Sequence, residues 1–149
     1  MKVKLDEITL KRIILLVAGD FLAFLLFVWI GRSNHALALT DVGAVIWTAA
    51  PFMIAWFVIS PWLGLFQIEI SESWRKFLPR FLVAWVLLGG PLGLILRNIF
   101  LQRPLIGGII PSFAIVTLLV TTLFLLIWRL GYIWWHTRQY HQNRPMEGL

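Results

Sequence analysis

The chain has 149 residues, of which 60% are hydrophobic and 13% are charged, and its formal net charge is +6. A soluble globular domain carries roughly 25% charged residues, so the composition excludes that class and indicates a single integral membrane domain. The sequence contains no cysteine, which excludes disulfides, thiolate nucleophiles and Cys-ligated clusters.

Four apolar stretches are long enough to cross a bilayer, which takes about 20 mostly apolar residues. They predict helices at about residues 13–31, 42–60, 81–101 and 112–135. No strand-like alternation competes with them, so the predicted fold is all-α, a polytopic four-transmembrane-helix bundle. The transmembrane domain is predicted at 13–135, between a cytoplasmic N-terminal segment (1–12) and a cytoplasmic polar tail (136–149).

The first apolar stretch is preceded by basic residues, as in a secretory signal peptide. It is longer than the roughly 7 to 15 residues of a signal core, it contains Asp20, and three further apolar stretches follow it. We therefore expect it to remain as the first membrane helix.

Lysines and arginines are unevenly divided between the two sides of the predicted bundle. Ten fall on the side of the termini and three, Arg32, Arg97 and Arg103, fall on the opposite side. By the positive-inside rule both termini are predicted to be cytoplasmic, or stromal in a plastid. The predicted location is the cell membrane or a thylakoid or plastid membrane. We attribute the basic residues to the orientation of the protein in the membrane, and we predict no nucleic-acid partner.

Most of the nine tryptophans lie near the ends of the predicted helices, and Trp56 lies deeper. Indole rings prefer the membrane interface, so we expect interfacial positions for the others, including Trp85. Between the second and third helices, residues 67–77 mix charged and apolar side chains. This stretch is either a short helix in the interface or an irregular loop.

Asp20 is an acidic residue inside the first predicted helix, where a charge is costly unless it is paired. It lies roughly 12 Å in from the cytoplasmic side, and Arg129 lies roughly 9 Å in from the same side. Because their depths match, we predict an Asp20–Arg129 pair. The pair is either a structural latch between the first and last helices or a proton or cation site at Asp20 that Arg129 modulates.

Helix three carries Gly89, Gly93 and Arg97 in one row, because residues four apart share a helix face. Glycines at this spacing let two helices approach closely, and the row is a candidate helix-packing or headgroup face. Arg97 is expected either to extend to the interface or to pair with Asp41. A third alternative is an anion or lipid-headgroup site formed with Arg32 and His35 of the outer loop.

Histidines are absent from the middle of the predicted membrane helices, which excludes bis-histidine haem ligation there. No Ser-His-Asp set, paired intramembrane acids, phosphate loop or metalloprotease helix is present. We therefore predict no catalytic residues, no cofactor and no metal, and the chain is not expected to be an enzyme.

Several short motifs occur in an order and spacing that resemble the integral-membrane family catalogued as domain of unknown function 3054 (DUF3054). The resemblance covers roughly residues 17 to 131 and implies four membrane helices without assigning a reaction. Its motifs are Gly19-Asp20, Phe27-x-x-x-Gly31-Arg32-x-x-His35, Ala50-Pro51-Phe52, Gly93-x-x-x-Arg97, Phe113-x-x-Val116 and Trp128-Arg129.

The small size, the glycine face and the lack of a catalytic set favour an accessory or assembly factor that packs against a larger membrane complex. The expected partners are the lipid bilayer and either other membrane subunits or further copies of the chain. The alternative is a small oligomeric transporter or channel that uses Asp20 or Arg97, since four helices enclose little pathway on their own.

Overall fold

A computed structural model describes the backbone of residues 2–34, 41–105 and 107–142, and these residues form helices and connecting turns without any strand. Four of the helices are long and apolar enough to cross a membrane. The predicted all-α fold with four such helices is therefore confirmed.

Six α-helices and one π-helical segment make up the described chain. The segments from Trp74 to Phe100 are continuous and together form the third of the four long helices, here called the third span. The elements are α1 (Lys2–Asn34), α2 (Val42–Trp62), α3 (Ile68–Ser71), α4 (Trp74–Phe81), the π-helix (Leu82–Gly89), α5 (Gly90–Phe100) and α6 (Pro111–Gln142).

The first and last helices extend well beyond their predicted membrane segments. Helix α1 begins at Lys2 instead of near residue 13, and α6 continues to Gln142 instead of ending near residue 135. Most of the predicted N-terminal segment and the first half of the predicted tail are therefore helical. Neither helix has an internal proline, and Pro111 stands at the first position of α6, where its missing N–H does no harm.

The third span changes from α to π geometry before Pro91. The N–H of Gly90 bonds to the carbonyl of Trp85, five residues earlier, which is the hydrogen bond of a π-helix. A proline inside an α-helix lacks an N–H and its ring clashes with the carbonyl four residues before it. The wider π turn directly before Pro91 relieves this conflict, so the helix continues to Phe100 without a break.

The linker between α2 and the third span contains one helical turn, α3, and α4 then begins at Trp74. Of the two alternatives for residues 67–77, the structure has short helical turns, and the second of them is already the start of the third span. The third span thus begins at Trp74, about two helical turns before the predicted residue 81.

Helix α1 packs against α2 on one side and α6 on the other, while α2 packs against both the π-helix and α5. An aromatic cluster fills the centre. Trp85 is fully buried there, with its ring centroid 5.2 Å from that of Phe24 and 5.8 Å from that of Trp56. The expectation that Trp85 lies in the interface is wrong, because its indole N–H has an internal acceptor in the Thr121 hydroxyl, 3.1 Å away.

Candidate functional site

Asp20 and Arg129 occupy the buried faces of the first and last helices. On α1, Leu16, Asp20 and Phe24 follow one another at four-residue spacing and are all buried. On α6, Leu125 and Arg129 have the same spacing and burial. Because α1 and α6 pack against each other, these two faces bring the carboxylate and the guanidinium together inside the bundle.

The structure joins Asp20 and Arg129 through two parallel hydrogen bonds. Nε of Arg129 donates to Oδ1 of Asp20 at 2.8 Å, and Nη2 donates to Oδ2 at 2.5 Å. Exposed fractions of 0% and 1% put both side chains out of contact with the surroundings of the bundle. A bidentate geometry of this kind is the strongest form of the arginine–carboxylate interaction.

Two further groups form hydrogen bonds with the pair. The indole N–H of Trp56 donates to Oδ2 of Asp20 at 2.8 Å, and Nη1 of Arg129 donates to the carbonyl of Leu65 at 3.0 Å. The pair therefore links α1 and α6 to α2 and to the linker after α2. Trp56 was expected only to lie deeper than the other tryptophans, and no pattern in the sequence predicts its hydrogen bond to Asp20.

The linker reaches Arg129 through a tight turn at Gly64, whose φ of 71° favours glycine. This turn presents the Leu65 carbonyl to the guanidinium. The linker and α4 also cover Arg129 with the aromatic rings of Phe66 and Phe77, whose centroids lie 4.9 Å and 5.8 Å from its central carbon. Rings at such distances stabilise a cation in a dehydrated site.

Gly19, the neighbour of Asp20, allows the close approach of α1 and α6. A Cβ atom at this position would lie 1.9 Å from Cε2 of Trp128, which is far inside van der Waals contact. The Trp128 indole thus lies against the bare backbone of Gly19. Helices α1 and α6 are therefore complementary in charge at Asp20 and Arg129, and complementary in shape at the adjacent Gly19 and Trp128.

The predicted face of Gly89, Gly93 and Arg97 is divided among different contacts. Gly93 lies against α2, since a Cβ there would be 2.6 Å from a ring carbon of Phe52, whereas a Cβ at Gly89 would meet its own helix at the Ala84 carbonyl. Gly93 is thus a close-packing position between helices, and Gly89 belongs to the π-helical turn.

Arg97 lies over the ring of Phe113, with 4.1 Å between its central carbon and the ring centroid. The alternative partner, Asp41, instead accepts a hydrogen bond from the Ala44 N–H at 2.9 Å and caps α2. The ion pairs found in the described part of the chain do not join Arg97 to Asp41. Arg32 is partly exposed near the end of α1, and His35 lies outside the described residues, so a site combining them with Arg97 stays a prediction.

A second charged group, which the sequence reasoning did not find, lies at the end of the bundle that carries the termini. Glu72 of the linker accepts a hydrogen bond from Nη1 of Arg12 at 2.6 Å, and its carboxylate lies 3.7 Å from Nδ1 of His136. His136 contacts the ring of Tyr132, whose hydroxyl is buried without a hydrogen-bond partner among the described residues. No local signal in the sequence predicts this group, because it forms only when α1 and α6 continue as helices past the predicted membrane segments.

The arrangement offers an internal ion pair and a partly exposed charge cluster. An open apolar groove of ≈ 520 Å³ lies on the outer surface between α1 and α6, and it is lined in part by Gly19 and Trp128. Within the ranges that the structure describes, no three His, Asp or Glu side chains are grouped so that they could hold a metal ion.

Comparison with known families identifies the chain. The model of a family described as "Protein of unknown function (DUF3054)" matches residues 17–132, and the chain therefore belongs to this family. The resemblance drawn from the motifs is thus confirmed, and the match includes both Asp20 and Arg129. No curated protein and no solved structure matches the chain.

Proposed function

We propose that the protein is a multi-pass membrane protein that acts as an accessory or assembly factor and packs laterally against a larger membrane complex. The observation that carries this proposal is the internal use of its intramembrane charges. Asp20 and Arg129 bind each other, Trp56 and the Leu65 carbonyl, so both carboxylate oxygens already accept hydrogen bonds from within the bundle. The function is therefore assigned to the outer surface.

The outer face of α6 is the preferred contact surface for the partner. Only 22% of the residues in the apolar window of α6 are buried within the bundle, against 33% for α1 and 39% for each of the other two spans. Its exposed row at four-residue spacing consists of Ile115, Leu119, Leu123 and Ile127. Such a straight apolar row matches the face of another transmembrane helix, because membrane helices associate mainly through van der Waals packing.

The transporter alternative has less support. Transport through Asp20 would require Arg129 to release both carboxylate oxygens inside the bundle, and breaking a buried pair costs about 3–5 kcal/mol. The Arg97 guanidinium lies over the ring of Phe113, 4.1 Å from its centroid. We therefore place transport second to the accessory function.

The orientation with both termini in the cytoplasm is also part of the proposal, and it rests on the ten-to-three distribution of lysine and arginine. Reporter fusions at each terminus test it. Cytoplasmic activity of both fusions supports the orientation, and external activity of either one contradicts it.

The main experiment is the extraction of tagged protein in mild detergent, followed by native gel separation and mass spectrometry. We expect a discrete large assembly that contains other membrane subunits in fixed ratio. The variant Leu119→Ala/Leu123→Ala should release the protein from this assembly, whereas Ile54→Ala/Val58→Ala, on the exposed face of α2, should not. Recovery of only monomers or homo-oligomers would contradict the proposal, and flux through reconstituted protein with Asp20→Asn as control would then be measured.

A further inference from the structure

The loop after the third span folds back onto the end of that span. The N–H of Leu101 bonds to the carbonyl of Arg97 at 3.0 Å, and the N–H of Arg103 bonds to the carbonyl of Asn98 at 2.8 Å. Between them, Gln102 adopts a left-handed conformation with φ of 51°. The reversal returns Arg103 to the last turn of α5, which carries Arg97.

The same loop is fixed by a buried side chain. Asn98 is 1% exposed, and its amide nitrogen donates to the carbonyl of Pro104 at 3.2 Å. The backbone of Gly108 packs on this contact, since a Cβ there would lie 1.9 Å from the Pro104 oxygen. The segment that carries Arg103 is therefore held in place by Asn98 and by close packing.

Two arginines thus lie near each other, and no carboxylate of the described residues forms an ion pair with either of them. The Arg97 guanidinium is oriented by the face of Phe113, and the hydrogen bond from the Arg103 N–H to the Asn98 carbonyl holds Arg103 beside the same turn of α5. None of the ion pairs in the described ranges includes either arginine, and Asp41 is engaged as the cap of α2. Like charges repel, so this geometry is more stable when an anion lies between them.

We propose that Arg97 and Arg103 form a binding site for a phosphate group at the end of the bundle opposite the termini. Two guanidinium groups offer the planar, forked donors that match phosphate oxygens. The third span ends at Phe100, which puts both arginines at the depth of lipid headgroups when the helices cross a bilayer. The helix dipole alone would favour a cation near Arg97, but it does not explain the return of Arg103 to the same place.

The phosphate group has two sources, the headgroup of an anionic lipid and free inorganic phosphate. This site differs from the anion or headgroup site of Arg32, His35 and Arg97 that the sequence suggested, because Arg103 replaces Arg32 and His35 as the partner of Arg97. It is independent of the proposed accessory function, since it concerns the loop end of the third span and not the outer face of α6.

The test is a lipid titration of the purified, delipidated full-length protein, followed by native mass spectrometry. The probes are phosphatidylglycerol, phosphatidylcholine and inorganic phosphate. We expect one tightly bound phosphatidylglycerol, and we expect Arg97→Gln/Arg103→Gln to weaken its binding about tenfold or more, because two charge-assisted contacts are lost. The control, Arg75→Gln/Arg138→Gln, removes two arginines that lie over tryptophan rings elsewhere, at 5.4 Å and 3.9 Å, and should bind as the wild type does.

The outcomes separate the sources and can overturn the site. Displacement of the lipid by millimolar inorganic phosphate, with the same dependence on Arg97 and Arg103, supports a site for free phosphate. Equal loss in the control variant, or binding that neither arginine affects, overturns the proposal. If the double variant fails to fold, Arg103→Gln alone serves, since this side chain is exposed. Unchanged phosphatidylglycerol binding to that variant also overturns the proposal.

Discussion

Asp20 and Arg129 are 109 positions apart in the chain, yet two hydrogen bonds join them in the interior of the bundle. The pair connects the first long helix to the last, and through Trp56 and Leu65 it also holds the helix and linker between them. Because these hydrogen bonds join three helices and the linker, the Asp20–Arg129 pair holds α1, α2 and α6 in their relative positions.

The first prediction concerns this pair. Asp20→Asn leaves the Arg129 charge buried without its counter-ion, and we expect the free energy of unfolding in detergent to fall by about 3–5 kcal/mol. The double variant Asp20→Asn/Arg129→Met should be no less stable than either single variant, because it removes both charges. Thermal and denaturant unfolding of all four proteins gives the coupling energy.

The exposed pair Glu7–Lys11 is the control, since its side chains are 61% and 72% exposed. Glu7→Gln should change stability by less than about 1 kcal/mol. Strictly additive effects of the Asp20 and Arg129 substitutions would contradict a direct interaction between them.

The number of long helices and the proximity of Asp20 and Arg129 could both be predicted from the sequence. Both follow from one property of the bilayer, which requires long apolar helices and makes an unpaired charge costly at a given depth. Depth along a helix can be counted from the sequence. Rotation about the helix axis cannot, and for this reason Trp56 and Trp85 were not expected to share a core.

Other features depend on three-dimensional context. Pro91 predicts an interruption of the regular α-helix, but the sequence does not show whether the interruption is a kink or the π-helix that is observed. The Glu72 cluster requires α1 and α6 to continue as helices beyond the membrane segments. Local composition does not show this, because those extensions lie outside the long apolar stretches from which the membrane helices are predicted.

The second prediction compares two buried tryptophans. Trp56→Phe and Trp85→Phe remove the same atoms, but Trp56 donates to a carboxylate and Trp85 donates to a hydroxyl. Hydrogen bonds to charged groups contribute about 1.5–3 kcal/mol and neutral ones about 1 kcal/mol, so Trp56→Phe should be the more destabilising. Denaturant unfolding in detergent measures the difference, and a larger loss for Trp85→Phe would contradict the assignment.

The third prediction concerns the contact of Gly19 with Trp128. Gly19→Ala should lower stability by about 1–3 kcal/mol, because its Cβ would overlap the indole and separate α1 from α6. Gly131→Ala is the matched control, since a Cβ there meets nothing within 4 Å. In an α-helix that substitution should be neutral or stabilising by up to about 1 kcal/mol. Thermal unfolding distinguishes the two, and equal behaviour would contradict the close approach.

The fourth prediction concerns the linker, which Arg129 holds through Leu65 and which Arg12 and His136 hold through Glu72. The Arg12–Glu72 pair is about one-third exposed, so Glu72→Gln should cost less than about 1 kcal/mol of global stability. Its effect should be local, with faster amide hydrogen exchange in residues 63–73. Glu69→Gln changes an exposed acid of the same linker and should leave the exchange unaltered. Faster exchange in both variants would mean that linker charge, and not the Glu72 contacts, controls its opening.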